Sequence, residues 1–127
     1  MDTNELVFLA QKAKENAYAP YSGFRVGAAL LDSSGKVHTG CNVENVSFGA
    51  TNCAERTAIF KAVSDGIRNF ETIAIASDSK ELVFPCGICR QVIAEFGIQR
   101  IIVSKDDGTF AEYSLEELLP YAFKEFD

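Results

Sequence analysis

Asn52-Cys53-Ala54-Glu55-Arg56-Thr57-Ala58-Ile59 opens one helix, and Pro85-Cys86-Gly87-Ile88-Cys89-Arg90-Gln91 opens another. Asn52 can cap the first, which the pattern extends over residues 53–65 and Gly66 closes. Ala54, Ala58, Ile59, Ala62 and Val63 give it an apolar face, and Phe60 widens the stripe. A helix this apolar is expected to be covered by a sheet and by another subunit. The second helix is expected over 86–96, stopped by Gly97. Outward from this pair, residues 2–17 read as a helix that Ala19-Pro20-Tyr21-Ser22-Gly23 breaks. Residues 24–31 and 37–43 read as a hairpin around Asp32-Ser33-Ser34-Gly35, and 45–51 as a loop. Strands are expected at 72–76 and 100–104, with a weaker edge strand at 110–113. Ser114 can cap a last short helix that Pro120 limits. A hairpin followed by helix–strand alternation implies an α/β fold: one mixed sheet with helices on both faces.

The chain has 127 residues, which predicts a single domain over 1–127. A domain of that size buries about two thirds of its unfolded surface. Hydrophobic residues make up 47% of it, enough for a self-sufficient core. A net charge of −6, with no Lys/Arg cluster, argues against a nucleic-acid polymer or an anionic membrane as partner. No apolar run approaches the roughly 20 residues of a membrane span. Met1-Asp2-Thr3-Asn4-Glu5 is acidic where a secretion signal is basic, so a cytoplasmic location is expected. Thiols stay reduced there, and the four cysteines read as ligands or catalysts before disulfides.

Cys86 and Cys89 are three apart at a helix start and share a face, while Cys53 starts the other helix. A helix N-terminus carries about half a positive charge, which favours thiolate over thiol. Three thiolates suit zinc, with Zn–S near roughly 2.3 Å and a fourth position left for water, as in catalytic sites. Glu55, two residues past Cys53, is too close to bind the same ion and well placed to take a proton from that water. Zinc with three thiolates keeps one net negative charge. Arg56, with Arg90 as a second candidate, is expected to hydrogen-bond a ligand sulfur and offset it.

Blander readings stand beside these. Both arginines could be solvated helix-face residues. Asn52 with Glu55 imitates a capping box. A Cys-x-x-Cys alone also suits a redox pair or a zinc knuckle, and Cys41 could close a structural four-cysteine site. Asn42 and Glu44, two apart on a strand, point the same way and could grip a pair of hydroxyls or simply face solvent. Phe24 is either core or a wall against a flat ring. His38, near the hairpin turn, is expected to be solvated.

Taken together, these motifs resemble cytidine deaminases of the short, one-domain kind. Tyr21-Ser22-Gly23-Phe24-Arg25-Val26-Gly27-Ala28-Ala29-Leu30 is similar to their first strand, and Asn42-Val43-Glu44-Asn45 to their ribose motif. Cys53-Ala54-Glu55-Arg56-Thr57 and Pro85-Cys86-Gly87-Ile88-Cys89-Arg90-Gln91 resemble their zinc motifs. Leu118-Leu119-Pro120 followed by Phe123 resembles their C-terminal pattern. The resemblance implies a three-layer α/β/α sandwich around a five-stranded mixed sheet. It implies one zinc ion per subunit on Cys53, Cys86 and Cys89, and a homotetramer with active sites near subunit boundaries. Asn42 and Glu44 would bind the ribose 3′-hydroxyl, and the Ala54 N–H would meet the base carbonyl. Phe24, and Phe123 from a neighbouring subunit, would pack on the nucleoside. The family often carries tyrosine where this chain has Phe48, so any hydrogen bond through that hydroxyl is lost.

The implied reaction is hydrolytic deamination of cytidine and 2′-deoxycytidine to uridine and 2′-deoxyuridine, a pyrimidine-salvage step. Glu55 would move a water proton to N3, hydroxide generated at zinc would attack C4, and Glu55 would then protonate the departing amine. A deaminase of a modified nucleoside such as blasticidin S would share the zinc motifs. A polynucleotide-editing deaminase fits less well, because the chain is acidic. A non-catalytic zinc-stabilised binding module would need a closed metal site and no role for Glu55.

Overall fold

The computed structural model describes residues 1–125, so the last two positions of the expected domain lie outside the described residues. In chain order the elements are α1 (Thr3–Lys14), β1 (Val26–Asp32), β2 (Val37–Cys41), α2 (Ala54–Ser64), β3 (Phe70–Ser77), α3 (Gly87–Glu95), β4 (Arg100–Ser104), β5 (Phe110–Ser114) and α4 (Leu115–Leu118). The strands form one sheet in the order β2-β1-β3-β4-β5. Only β3 and β4 run parallel; the other neighbours are antiparallel. The expected five-stranded mixed sheet is therefore present.

Side chains alternate across each strand, which divides the core into two halves. Ala28, Leu30, Ile73, Ile75, Ile101 and Val103 pack with Ala58 and Ile59 of α2 and Ile93 of α3. Ala29, Leu31, Ala74, Ala76 and Ile102 pack with Leu6, Val7 and Ala10 of α1. The layers are thus α1, the sheet, and α2 with α3. Two glycines set how closely helices approach. A Cβ at Gly27 would overlap the Ala10 carbonyl and the Lys14 amide of α1, and one at Gly40 would lie 2.8 Å from the Ala54 carbonyl. Gly40 thereby lets the first turn of α2 sit directly on β2. Among the described residues, no helix is long and apolar enough to cross a membrane.

Element ends depart from the sequence reading for identifiable reasons. Helix α1 stops at Lys14, where the amides of Asn16 and Ala17 turn back to the carbonyls of Ala13 and Lys14. Strand β2 stops at Cys41 because the Asn42 side chain turns towards the chain leading into β1. His38 is not solvated. It is 5% exposed, and its Nε2 lies 2.8 Å from Asp32 Oδ2. His38 stands opposite Leu30, two residues before Asp32, so hairpin pairing brings the ring over the carboxylate. The Ser34 hydroxyl and His38 hold the Asp32 carboxyl well below the usual carboxylate range.

Candidate metal centre and active-site cavity

Cys53 is the N-cap of α2, Cys86 is the N-cap of α3, and Cys89 lies in the first turn of α3. Neither capping cysteine spends its side chain on a cap bond, so both sulfurs are left for other work. The three sulfurs lie within 4.8 Å of one another, with Cys53 Sγ and Cys86 Sγ 3.9 Å apart. Tetrahedral zinc with Zn–S of roughly 2.3 Å needs sulfurs about 3.8 Å apart. The donor set fits that ion with sub-ångström adjustment. Cys41 does not join the cluster among the described residues. It sits within β2 opposite Gly27, and burial pushes its thiol up. The four-cysteine reading therefore falls, and a ligand position remains for solvent or substrate.

Two helix N-termini converge on the sulfurs, and neighbouring side chains set the charge there. The Cys53 thiol is held well below the usual thiol range, first by a hydrogen bond from Cys89 and then by the Arg56 guanidinium. Arg56 Nη2 donates to Cys53 Sγ at 3.2 Å, as the charge argument expects. Arg90 does something else. Its Nε donates to the Pro85 carbonyl and its Nη1 to the Leu118 carbonyl, each at 2.7 Å. It braces the turn before Cys86 against α4 and makes no bond to sulfur.

Glu55 is 4% exposed, and burial raises its carboxyl to about 7. The capping-box alternative is not realised. Cys53, not Asn52, caps α2, and the Asn52 amide instead donates to Thr57 Oγ1 at 3.2 Å. Glu55 faces a cavity of about 200 Å³ with Cys53, Cys86, Ala54, Asn42 and Val26 around it. Ser77, Val83 and Phe84 also line this cavity. The sequence reading did not single them out, although an apolar Val83-Phe84 pair in a loop before Pro85-Cys86 was a usable signal. Phe84 is held edge-to-face on Tyr113, with ring centroids 5.1 Å apart.

Asn42 and Glu44 both turn towards residues 21–26. Asn42 Oδ1 accepts from the Val26 N–H and its Nδ2 donates to the Phe24 carbonyl, both at 2.9 Å. Glu44 Oε1 accepts from the amides of Tyr21 and Ser22, and Oε2 from the Ser22 hydroxyl. Glu44 lines a second hollow of about 310 Å³ with Tyr21, Ser22 and Phe48, and Thr51 borders both spaces. The Phe48 ring packs edge-to-face on Tyr21. Phe24 is half-buried beside this segment. Phe123 is exposed, and its carbonyl accepts from Gln91 Nε2 at 2.7 Å.

A family model described as the cytidine and deoxycytidylate deaminase zinc-binding region matches residues 1–105. The chain belongs to the cytidine and deoxycytidylate deaminase family. The matched region spans all three sulfur ligands and Glu55, and zinc is the ion that the trio fits. The cytidine deaminase of Sporosarcina psychrophila is 50% identical over 129 residues, covering 100% of this chain and 95% of that protein. The crystal structure of cytidine deaminase from Burkholderia pseudomallei superposes with a TM-score of 0.93 at 46% identity, covering 97% of this chain and 100% of that one. The blasticidin-S deaminase of Bacillus cereus stands further off within the family, 32% identical over 106 residues, with 77% and 76% of the two chains covered.

Proposed function

We propose that this protein is a zinc-dependent hydrolase that converts cytidine and 2′-deoxycytidine to uridine and 2′-deoxyuridine with release of ammonia. One observation supports this most: a buried carboxylate, Glu55, stands beside three zinc-competent sulfurs and opens on a cavity of about 200 Å³. Cys53, Cys86 and Cys89 would hold the ion. When bound, it supplies the Lewis acidity that makes a nucleophilic oxygen available from water at neutral pH.

The protein's own groups do the rest. Glu55 would take a proton from a water in the cavity and deliver it to N3 of the base, which makes C4 more electrophilic. It then takes the proton of the hydroxyl now on C4 and gives it to the departing amino group, so that the C4–N bond breaks, ammonia leaves and the C4 carbonyl forms. One carboxylate serves as base and then as acid, which a pKa near the working pH favours, and burial gives Glu55 that tuning. Arg56 offsets the excess charge on sulfur. The Ala54 N–H, at the start of α2, meets the base carbonyl, and Phe24 walls the ring.

Asn42 and Glu44 are the proposed sugar-binding pair, and hydrogen-bond capacity supports Asn42. An amide side chain has two N–H donors and two lone pairs on oxygen. Asn42 has spent one of each on the backbone, so one donor and one acceptor remain for a hydroxyl. The decisive experiment follows the loss of cytidine absorbance as uridine forms, with and without a zinc chelator. Turnover that the chelator abolishes is expected. Stoichiometric zinc with no turnover of cytidine, 2′-deoxycytidine or blasticidin S would sink the reading.

The assembly that fits is a homotetramer, with Phe123 of one chain reaching a neighbour's nucleoside. Its support is exposed apolar surface: Phe48, which lines the second hollow with Tyr21, is 76% exposed and Phe123 60%, and Val46 and Tyr21 are also exposed. Sedimentation is expected to show a species of four chains, and a monomer at micromolar concentration would remove this part.

A further inference from the structure

Asp78 follows the last residue of β3, and its carboxylate gathers four donors from two distant parts of the chain. Oδ2 accepts from the Arg25 backbone N–H at 3.1 Å and from Arg25 Nε at 3.0 Å. Oδ1 accepts from Arg25 Nη2 at 3.1 Å and from Lys14 Nζ at 3.2 Å. The Asp78 N–H returns a bond to the Arg25 carbonyl. Lys14, the last residue of α1, is buried at 8% exposure and also donates to the Ser77 carbonyl at 3.3 Å. An exposed Arg–Asp pair alone contributes little to stability, and Arg25 is 46% exposed. Asp78 does more than pair with it: its carboxylate accepts the Arg25 N–H, and its own backbone N–H holds the Arg25 carbonyl.

The neighbours of Arg25 make that fixing relevant to the site. The Phe24 carbonyl and the Val26 N–H flank Arg25, and they are the two groups that hold the Asn42 amide. Val26 and Asn42 line the same cavity as Glu55, and so does Ser77, whose carbonyl Lys14 holds. Bonds thus run without a gap from Lys14 through Asp78 and Arg25 to Asn42.

We propose that Asp78, bridging Lys14 and Arg25, is a positioning residue that aims the Asn42 amide at the nucleoside. The inference rests on the nucleoside-site reading above. Asp78 touches neither the sulfur cluster nor Glu55, so it acts on binding geometry and leaves the proton shuttle alone. Asn at this position keeps the size and loses the charge that recruits both cations.

The test is steady-state kinetics of Asp78→Asn on the zinc-loaded protein. KM for cytidine and Ki for uridine are expected to rise together by about 10-fold, with kcat held within about threefold. A purely structural role would lower the active fraction, reducing kcat with KM unchanged. That result, or no change in either constant, would overturn the proposal. Lys14→Met, which keeps the apolar packing and removes one donor, is expected to shift KM the same way by a smaller factor. It carries the test if Asp78→Asn does not fold. Absence of cytidine turnover in the unsubstituted protein would instead refute the nucleoside reading, so the two failures are distinct.

Discussion

Glu55→Gln is expected to bind one zinc per chain, fold normally and lose turnover of cytidine by about 10³-fold or more. The substitution keeps the volume of the side chain, so the buried position beside Cys53 and Ala54 tolerates it sterically. It also removes a buried acid whose ionised form burial disfavours, so no loss of stability is expected. What an amide cannot do is accept a proton and give it up again. If one carboxylate serves both the water and the leaving amine, its loss affects each proton transfer. Metal analysis, circular dichroism and the absorbance assay report the three quantities separately. Activity within about tenfold of the parent protein would show that another group moves the protons.

The parts legible in the sequence are those set by local pattern. Both helices that carry the sulfurs were readable because apolar spacing, a cysteine at each start and a closing glycine agree; Gly66 takes φ 92° at the end of α2, where other residues would be strained. The sheet was readable because the strands are short apolar runs bounded by turns. Arg56 was found by counting charge around three thiolates, and its bond to Cys53 followed. Ala54 and Phe123 came from family resemblance, since nothing in their local pattern marks them.

What stayed hidden depends on contacts between distant residues. His38 looks like a hairpin-turn residue until β1 and β2 pair and bring Asp32 beneath it. Arg90 resembles Arg56 by position, yet its partner Leu118 lies 28 residues away. Arg25 and Asp78 are 53 residues apart, and neither reads as more than a surface charge. The capping-box imitation at Asn52 and Glu55 misleads for a related reason. Residue type allows it, but burial and the Thr57 hydroxyl direct the two side chains elsewhere.

Removing one sulfur is expected to have the second large effect, and its size separates ligands from supporting groups. Cys89 is fully buried in the first turn of α3, within reach of the other two sulfurs. Cys89→Ala leaves two sulfurs, one of them on an exposed cysteine, which is too few for a closed grip on zinc. The variant is expected to purify without stoichiometric zinc, to lose turnover, and to unfold at a lower temperature than the parent, because an ion that binds only the folded chain stabilises it. Arg56→Ala keeps all three ligands and removes the guanidinium that donates to Cys53 Sγ and also acts on Cys89. It is expected to weaken zinc binding by about 10- to 100-fold while the loaded variant still turns over cytidine, the range seen when a group that orients a ligand is lost. A competition titration against a chelator measures both. Equal zinc affinity in Arg56→Ala and the parent would mean that the guanidinium only fills space. Stoichiometric zinc in Cys89→Ala would mean that the ion sits elsewhere, and the proton chemistry assigned to Glu55 would lose its metal partner.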